Sequence, residues 1–206
     1  MENYQRNEGI CLSQTDEISA VGFNIFLLKV RGAPAIAIVG CLSLAVELHQ
    51  QKNFQNKNEL HCFVKEKLDY LVTARPTAVN IQLSAEACIN FSQELLASSE
   101  ADTETAQLDI IKHLEATFVQ DVKDNHAIGD YGAEHILKTK EGKKVRMMTH
   151  CNTGSLATAG YGTALGVIRS LQKMDRLDHV YCTETRPYNQ GTKHSARLEF
   201  RKHQFY

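Results

Sequence analysis

Cys151 is the residue most clearly placed for chemistry. An apolar run ends at Met148-Thr149-His150, and Asn152-Thr153-Gly154-Ser155-Leu156-Ala157-Thr158-Ala159-Gly160-Tyr161-Gly162 follows the thiol. This pattern predicts a strand that hands Cys151 to the loop before a helix. Ligands of open α/β sheets bind at the carboxyl ends of strands. A thiol beside a helix N-terminus also feels the positive end of the helix dipole, which favours the thiolate. His150 is adjacent, but consecutive strand residues point to opposite faces, so adjacency alone makes no dyad. The competing reading is a buried structural cysteine, the commoner fate of a lone thiol.

Arg31 and Arg75 share a second pattern. Each lies shortly before a proline, Pro34 or Pro76, that opens an expected helix. A guanidinium beside unpaired backbone N–H groups makes a good anion or phosphate site. Two unrelated surface arginines would read the same way. A third group is Thr183-Glu184-Thr185-Arg186-Pro187-Tyr188-Asn189-Gln190-Gly191, which supplies an acid, a base and two amides. It follows a second expected strand and so shares a sheet edge with Cys151. It suits a polyhydroxylated ligand, and an ordinary polar loop would look alike. Gly160, Gly162 and Gly166 do not make a dinucleotide fingerprint with Glu184 as its acid. That motif needs its glycines in the turn directly after the strand. Close helix packing is the reading given to them.

The elements that must position these residues follow from periodicity. Residues 1–20 read as a loose polar arm, and 21–30 as either strand or helix. Ala35 to Leu48 is apolar almost all round, which predicts a buried helix. Further helices are expected over 60–72, from Pro76 to about Ala97, over Gln107 to Val122, and over Asn125 to Lys138 with Gly129 and Gly132 interrupting. Asp or Thr within 98–105 is the expected N-cap. The period then changes. Lys144–Thr149 and Asp178–Thr183 read as strands flanking a helix from Ala157 to Met174, one parallel βαβ unit.

The composition sets limits. The chain has 206 residues, 43% of them hydrophobic, so a sizeable core is within reach. A net charge of -1 gives no bulk field toward nucleic acid or membrane. No segment is expected to reach the length of a spanning helix, and the N-terminus has no apolar signal core. Cysteines at 11, 41, 62, 88, 151 and 182 form no C-x-x-C pair, and the nine histidines form no H-x-x-x-H pair. Zinc-ribbon and thioredoxin readings are disfavoured, and reduced cytosolic thiols are expected.

Four blocks in order carry a resemblance. They are Lys29-Val30-Arg31-Gly32-Ala33-Pro34-Ala35-Ile36-Ala37, Thr73-Ala74-Arg75-Pro76-Thr77-Ala78-Val79-Asn80, Thr149 to Gly166, and Glu184 to Gly191. Across residues 29–191 the chain resembles the methylthioribose-1-phosphate isomerases of methionine salvage. The resemblance implies an aldose–ketose isomerisation of 5-methylthioribose 1-phosphate to 5-methylthioribulose 1-phosphate, with no metal and no nucleotide cofactor. It implies an acid/base pair of one cysteine and one aspartate, with Cys151 as the cysteine. Arg31, Gly32, Ala33, Arg75 and Gln190 take the substrate-binding positions, with the arginines on phosphate. It also implies a homodimer in the full-length form, and a cytoplasmic location with the nucleus as a second one.

The expected fold class is α/β, a helical N-terminal domain followed by an incomplete Rossmann-like parallel domain. The boundaries are a divergent arm over 1–28, a mainly helical domain over 29–140, the start of the α/β domain over 141–191 and a basic tail over 192–206. Family members are longer, and their aspartate and a further Asn-Lys pair lie past the Gln190 motif. Residues 192–206 do not follow the family pattern, so a truncated or alternative form with impaired activity is expected. Two other classes remain open: a regulatory or binding protein akin to the translation-initiation exchange-factor subunits, and an inactive fragment.

Overall fold

A computed structural model of the chain describes residues 18–27, 29–51, 53–98, 102–140 and 142–186. Residues 1–17 of the expected arm, Gln190 and the basic tail lie outside the described residues, and Ile18 to Ala20, read as the end of the loose arm, are helical. The chain divides into two compact units, Met1–Gln120 and Asp121–Tyr206.

The first unit is helical. The segment left open between strand and helix forms α1, Ile18–Phe26, with Ile18, Val21, Gly22 and Ile25 buried at helical spacing. Helix α2, Ala33–Gln50, has Pro34 in its first turn, where a missing N–H costs nothing. It is buried almost all round, and Ile36, Leu44 and Leu48 have no exposed surface. Burying each such side chain is worth roughly 1.5–3 kcal/mol. By length and hydropathy α2 could cross a membrane, so the expectation that no segment approaches that length is corrected. Two thirds of it is buried inside the fold, and core helices pass the same test.

Helix α3, Lys57–Ala74, starts on a reciprocal cap. Asn56 accepts from the Glu59 N–H at 3.0 Å, and Gln55 N–H donates to the Glu59 carboxylate at 2.7 Å. Its buried stripe is Leu60, Val64, Leu68 and Leu71. Helix α4 runs Val79–Ala97, not from Pro76. Residues 75–78 form a turn closed by Ala78 N–H donating to the Arg75 carbonyl at 3.0 Å. Proline suits the second position of such a turn as well as a helix start, and here the turn prevails.

The two helices expected over 107–122 and 125–138 are one, α5, Thr103–Lys138. Asp102 caps it, accepting from Thr105 N–H at 2.8 Å. Gly129 and Gly132 sit inside α5 without breaking it, because tertiary packing outweighs their low propensity.

The second unit holds the later part of α5, strand β1 (Val145–Thr149), helix α6 (Ala164–Lys173) and strand β2 (Leu177–Cys182). The strands are parallel, with Met147 opposite Val180 and Thr149 opposite Cys182. Leu165 and Ile168 of α6 pack on Val180, Cys182 and Met147. The helix expected from Ala157 is corrected: only a short 3-10 turn, Ser155–Ala157, precedes α6. The cause lies in Thr158, whose hydroxyl accepts from the N–H groups of Gly160 and Gly162, and in Gly162, which has φ +87°. A hydroxyl that captures local N–H groups competes with helix. The observed architecture is an α/β fold with a helical first part and a short parallel sheet, as the sequence predicts.

Candidate functional site

Arg31, Gly32, Ala33 and Arg75 come together at the start of α2. Gly32 is its N-cap and offers no side-chain acceptor. Pro34 has no N–H, and the first intrahelical bond runs from Ile36 N–H to the Gly32 carbonyl at 2.8 Å. The N–H groups of Ala33 and Ala35 therefore precede the helical ladder, where a helix carries positive partial charge. Arg75, at the C-cap of α3, reaches across and donates from Nη1 to the Arg31 carbonyl at 2.8 Å. This carries its guanidinium to the α2 N-terminus. Both arginines are partly buried. Cationic side chains beside unpaired helix N–H groups can hold a phosphate. The expectation that Arg75 opens a proline-started helix fails, yet its side chain reaches one that does.

Cys151 stands two residues beyond β1, and its thiol is exposed. Its backbone has φ +75°, a left-handed conformation uncommon for a residue with a Cβ. Such strain persists only where the surroundings over-determine it, and it concentrates at functional sites. The surroundings are visible. Thr149 and Thr153 join through their hydroxyls at 3.1 Å across the turn. Leu165 N–H of α6 donates to the Thr153 carbonyl at 3.4 Å. A Cβ on Gly162 would lie 2.7 Å from that same carbonyl and 3.0 Å from Gly154, so only glycine permits this close approach. The helix expected from Ala157 starts later, at Ala164, and returns to the Cys151 turn in space through Leu165.

The edge shared with β2 forms as the sequence predicts. Thr183 N–H donates to the Thr149 carbonyl at 3.1 Å, extending the parallel ladder past β2. His150 turns its Nδ1 to the Thr183 hydroxyl, which ties the two loops together. Glu184 follows, its carboxylate accepting from Thr185 N–H at 2.9 Å. Residues 187–191 of that motif, Gln190 among them, lie outside the described residues.

Three of the other described cysteines, Cys41, Cys88 and Cys182, are buried. Burial pushes the Cys41 thiol up to about 11. Burial, with Cys41 nearby, pushes Cys88 to about 12. Burial also raises Cys182. These are packed, protonated thiols. Among the described residues no group of three or more His, Cys, Asp or Glu gathers as a metal site.

Sequence reasoning missed Asp121. From α5 its carboxylate accepts from Ala159 N–H at 2.7 Å, inside the loop that follows Cys151. Burial raises its proton affinity, opposed by that N–H and by Asn125. No local pattern links positions so far apart in the chain.

The chain spans about half the length of the relatives it matches. A methylthioribose-1-phosphate isomerase of Trichoplax adhaerens is 54% identical over 170 residues, 82% of this chain and 47% of that protein. One of Drosophila pseudoobscura pseudoobscura is 49% identical over 176 residues, covering 82% and 48%. The crystal structure of 5-methylthioribose 1-phosphate isomerase from Pyrococcus horikoshii OT3 superposes with a TM-score of 0.75 at 29% identity, over 92% of this chain and 51% of that one. The delta subunit of translation initiation factor eIF-2B from A. fulgidus gives 0.69 at 30% identity, over 93% and 54%. The sequence model of the initiation factor 2 subunit family matches residues 29–203, and the chain belongs to that family.

Proposed function

We propose that this chain carries the phosphate-binding and thiol-bearing half of an aldose–ketose isomerase that converts 5-methylthioribose 1-phosphate to 5-methylthioribulose 1-phosphate. The observation that carries the reading is Cys151, held at φ +75° with an exposed thiol at the carboxyl end of β1, in a chain about half identical to isomerases of that name. Arg31, Gly32, Ala33 and Arg75 at the α2 N-terminus supply the anion-binding chemistry. Gln190 is assigned to the substrate with them by resemblance alone. Resemblance alone also joins the two sets of residues to one reaction.

The chemistry asks for an acid and a base. Phosphate on C1 blocks spontaneous ring opening, so the bond between C1 and the ring oxygen must break with a proton delivered to that oxygen. Hydrogen then passes from C2 to C1, and the C2 hydroxyl loses its proton as it becomes the ketone. One proton is taken up and one released, so neither metal nor redox cofactor is called for. Cys151 takes one of the two proton-transfer roles. The resemblance gives the other to an aspartate beyond the Gln190 motif. Weak turnover is therefore expected from the 206-residue polypeptide assayed by itself. A cytoplasmic and nuclear location and a homodimeric full-length form belong to the same proposal.

Calorimetric titration with 5-methylthioribose 1-phosphate tests the phosphate half without requiring turnover. Saturable binding is expected, weakened about tenfold or more in Arg75→Ala, since a charge-assisted contact to phosphate is lost. Equal affinity of the two proteins would remove the arginine from the site. The second reading, a regulatory protein of the translation-initiation type, is favoured by the comparable identity to the A. fulgidus delta subunit. Capture of translation-factor subunits by a chain that does not bind the sugar phosphate would select it.

A further inference from the structure

Asp121, His126 and Asp130 stand along α5, and each engages the segment between Cys151 and α6 or α6 itself. Asp121 accepts from Ala159 N–H at 2.7 Å. His126 stacks on Tyr161 with ring centroids 3.9 Å apart. The Tyr161 hydroxyl meets Ser170 at 2.9 Å, and Ser170 donates to Asp130 at 2.6 Å. The next link runs inside the loop. Thr158, 1% exposed, accepts from Gly160 and Gly162 N–H, and Gly162 lies against Thr153 and Gly154. Those two residues are the far side of the turn that holds Cys151 in its left-handed conformation. The contacts therefore lead from α5 to the turn that contains the strained cysteine. Asp121 is their entry point and the only one of them that grips a backbone N–H of the loop with a carboxylate.

We infer that Asp121 is a positioning residue for Cys151, acting through the Ala159–Gly162 segment to hold the thiol's backbone in its left-handed conformation. This deepens the reading of Cys151 as a reacting group and rests on it. Asp121 touches no substrate in this account. It fixes the direction in which the thiol is presented. The side-chain oxygen of Asp121 holds the Ala159 N–H, which would otherwise lack that acceptor. A residue held at positive φ needs such surroundings to stay there.

The test reads alkylation rates of individual cysteines in the folded 206-residue chain by peptide mass spectrometry, with iodoacetamide as the probe. Cys62, exposed on α3, is the internal control, and the denatured chain gives the rate of an unconstrained thiol. Asp121→Ala is expected to move the Cys151 rate about threefold or more toward the denatured value, with Cys62 unchanged, because the turn relaxes once its clamp is gone. Asp121→Asn keeps a carbonyl acceptor and is expected to retain the native rate. Thr158→Val, which deletes the next acceptor along the loop, is expected to move Cys151 in the same direction as Asp121→Ala.

An unchanged Cys151 rate in Asp121→Ala overturns the inference. So does equal acceleration of Cys62, Cys41 and Cys88, which would mark Asp121 as a support of the whole fold. Failure of Asp121→Asn to restore the rate also overturns it. Alkylation does not depend on sugar-phosphate turnover, so failure here is distinguishable from failure of the isomerase reading.

Discussion

At the scale of single residues, the strained backbone of Cys151 makes a thermodynamic prediction. A left-handed conformation costs an L-residue roughly 1–2 kcal/mol, and glycine escapes that cost. Cys151→Gly is therefore expected to stabilise the second unit by about 1 kcal/mol while deleting the thiol, seen as a raised thermal midpoint. A lowered midpoint would mean that the turn is not under strain. Asp121 makes a prediction in pH. Its folded carboxyl has raised proton affinity, mainly from burial. Stability from such a group is fully present below the ordinary carboxylate range and is lost as pH rises through the raised value. Asp121→Asn is then expected to gain more in thermal midpoint over the native protein at pH 7 than at pH 4. A gain independent of pH would contradict the assignment. The sequence pointed to Cys151 through its place after a strand. It carried no sign of the positive φ or of Asp121, because both arise from contacts distant along the chain.

At the scale of elements, glycines decide how closely helices approach. A Cβ on Gly129 of α5 would sit 2.9 Å from the Gly166 carbonyl of α6 and 2.7 Å from the Tyr161 ring. The carbonyl is backbone and cannot swing aside. A Cβ on Gly22 of α1 would meet first the end of the Tyr70 side chain, at 2.6 Å, and that side chain is exposed. Alanine gains about 1 kcal/mol of helix propensity at either place. Gly129→Ala is nonetheless expected to destabilise by roughly 1–3 kcal/mol through overpacking. Gly22→Ala is expected to be neutral or stabilising. Denaturant midpoints of the two variants check the contrast, and equal effects would contradict it.

The same contacts explain which sequence readings held. The close-packing reading of Gly160, Gly162 and Gly166 holds for Gly166, which lies against Tyr161 and the Asn125 carbonyl, and fails for the other two. Gly160 meets nothing nearby, and Gly162 serves a tight turn. The α3, β1 and β2 elements were legible because their apolar spacing matches their period, and α2 because it is apolar almost all round. The unbroken α5 and the late start of α6 were not. There, tertiary packing overrode glycine's low propensity, and the Thr158 hydroxyl captured N–H groups that a helix would have used.

At the scale of the whole molecule, the two units differ in the means that hold them. The helical unit has one extensive core, running from Ile18 through Leu114. The α/β unit rests on two small clusters, Leu165, Ile168, Val180 and Cys182 in one and Ala133, Val145 and Leu171 in the other. Its sheet has two strands among the described residues, and isolated two-stranded pairing is marginal in water. The residues proposed to bind an anion belong to the better-cored unit, and the thiol to the other. Composition and periodicity made this change from helical to α/β organisation legible, but could not show that α5 is shared by both units.

The central claim is that Cys151 moves protons on a sugar phosphate. Conversion of 5-methylthioribose 1-phosphate by the chain, followed by phosphorus NMR under single-turnover conditions with protein in excess, tests it most directly. The account predicts slow conversion above background and a loss of about a hundredfold or more in Cys151→Ala, the scale of a general acid or base. Equal rates for the two proteins, or no conversion by the unsubstituted chain, would contradict it.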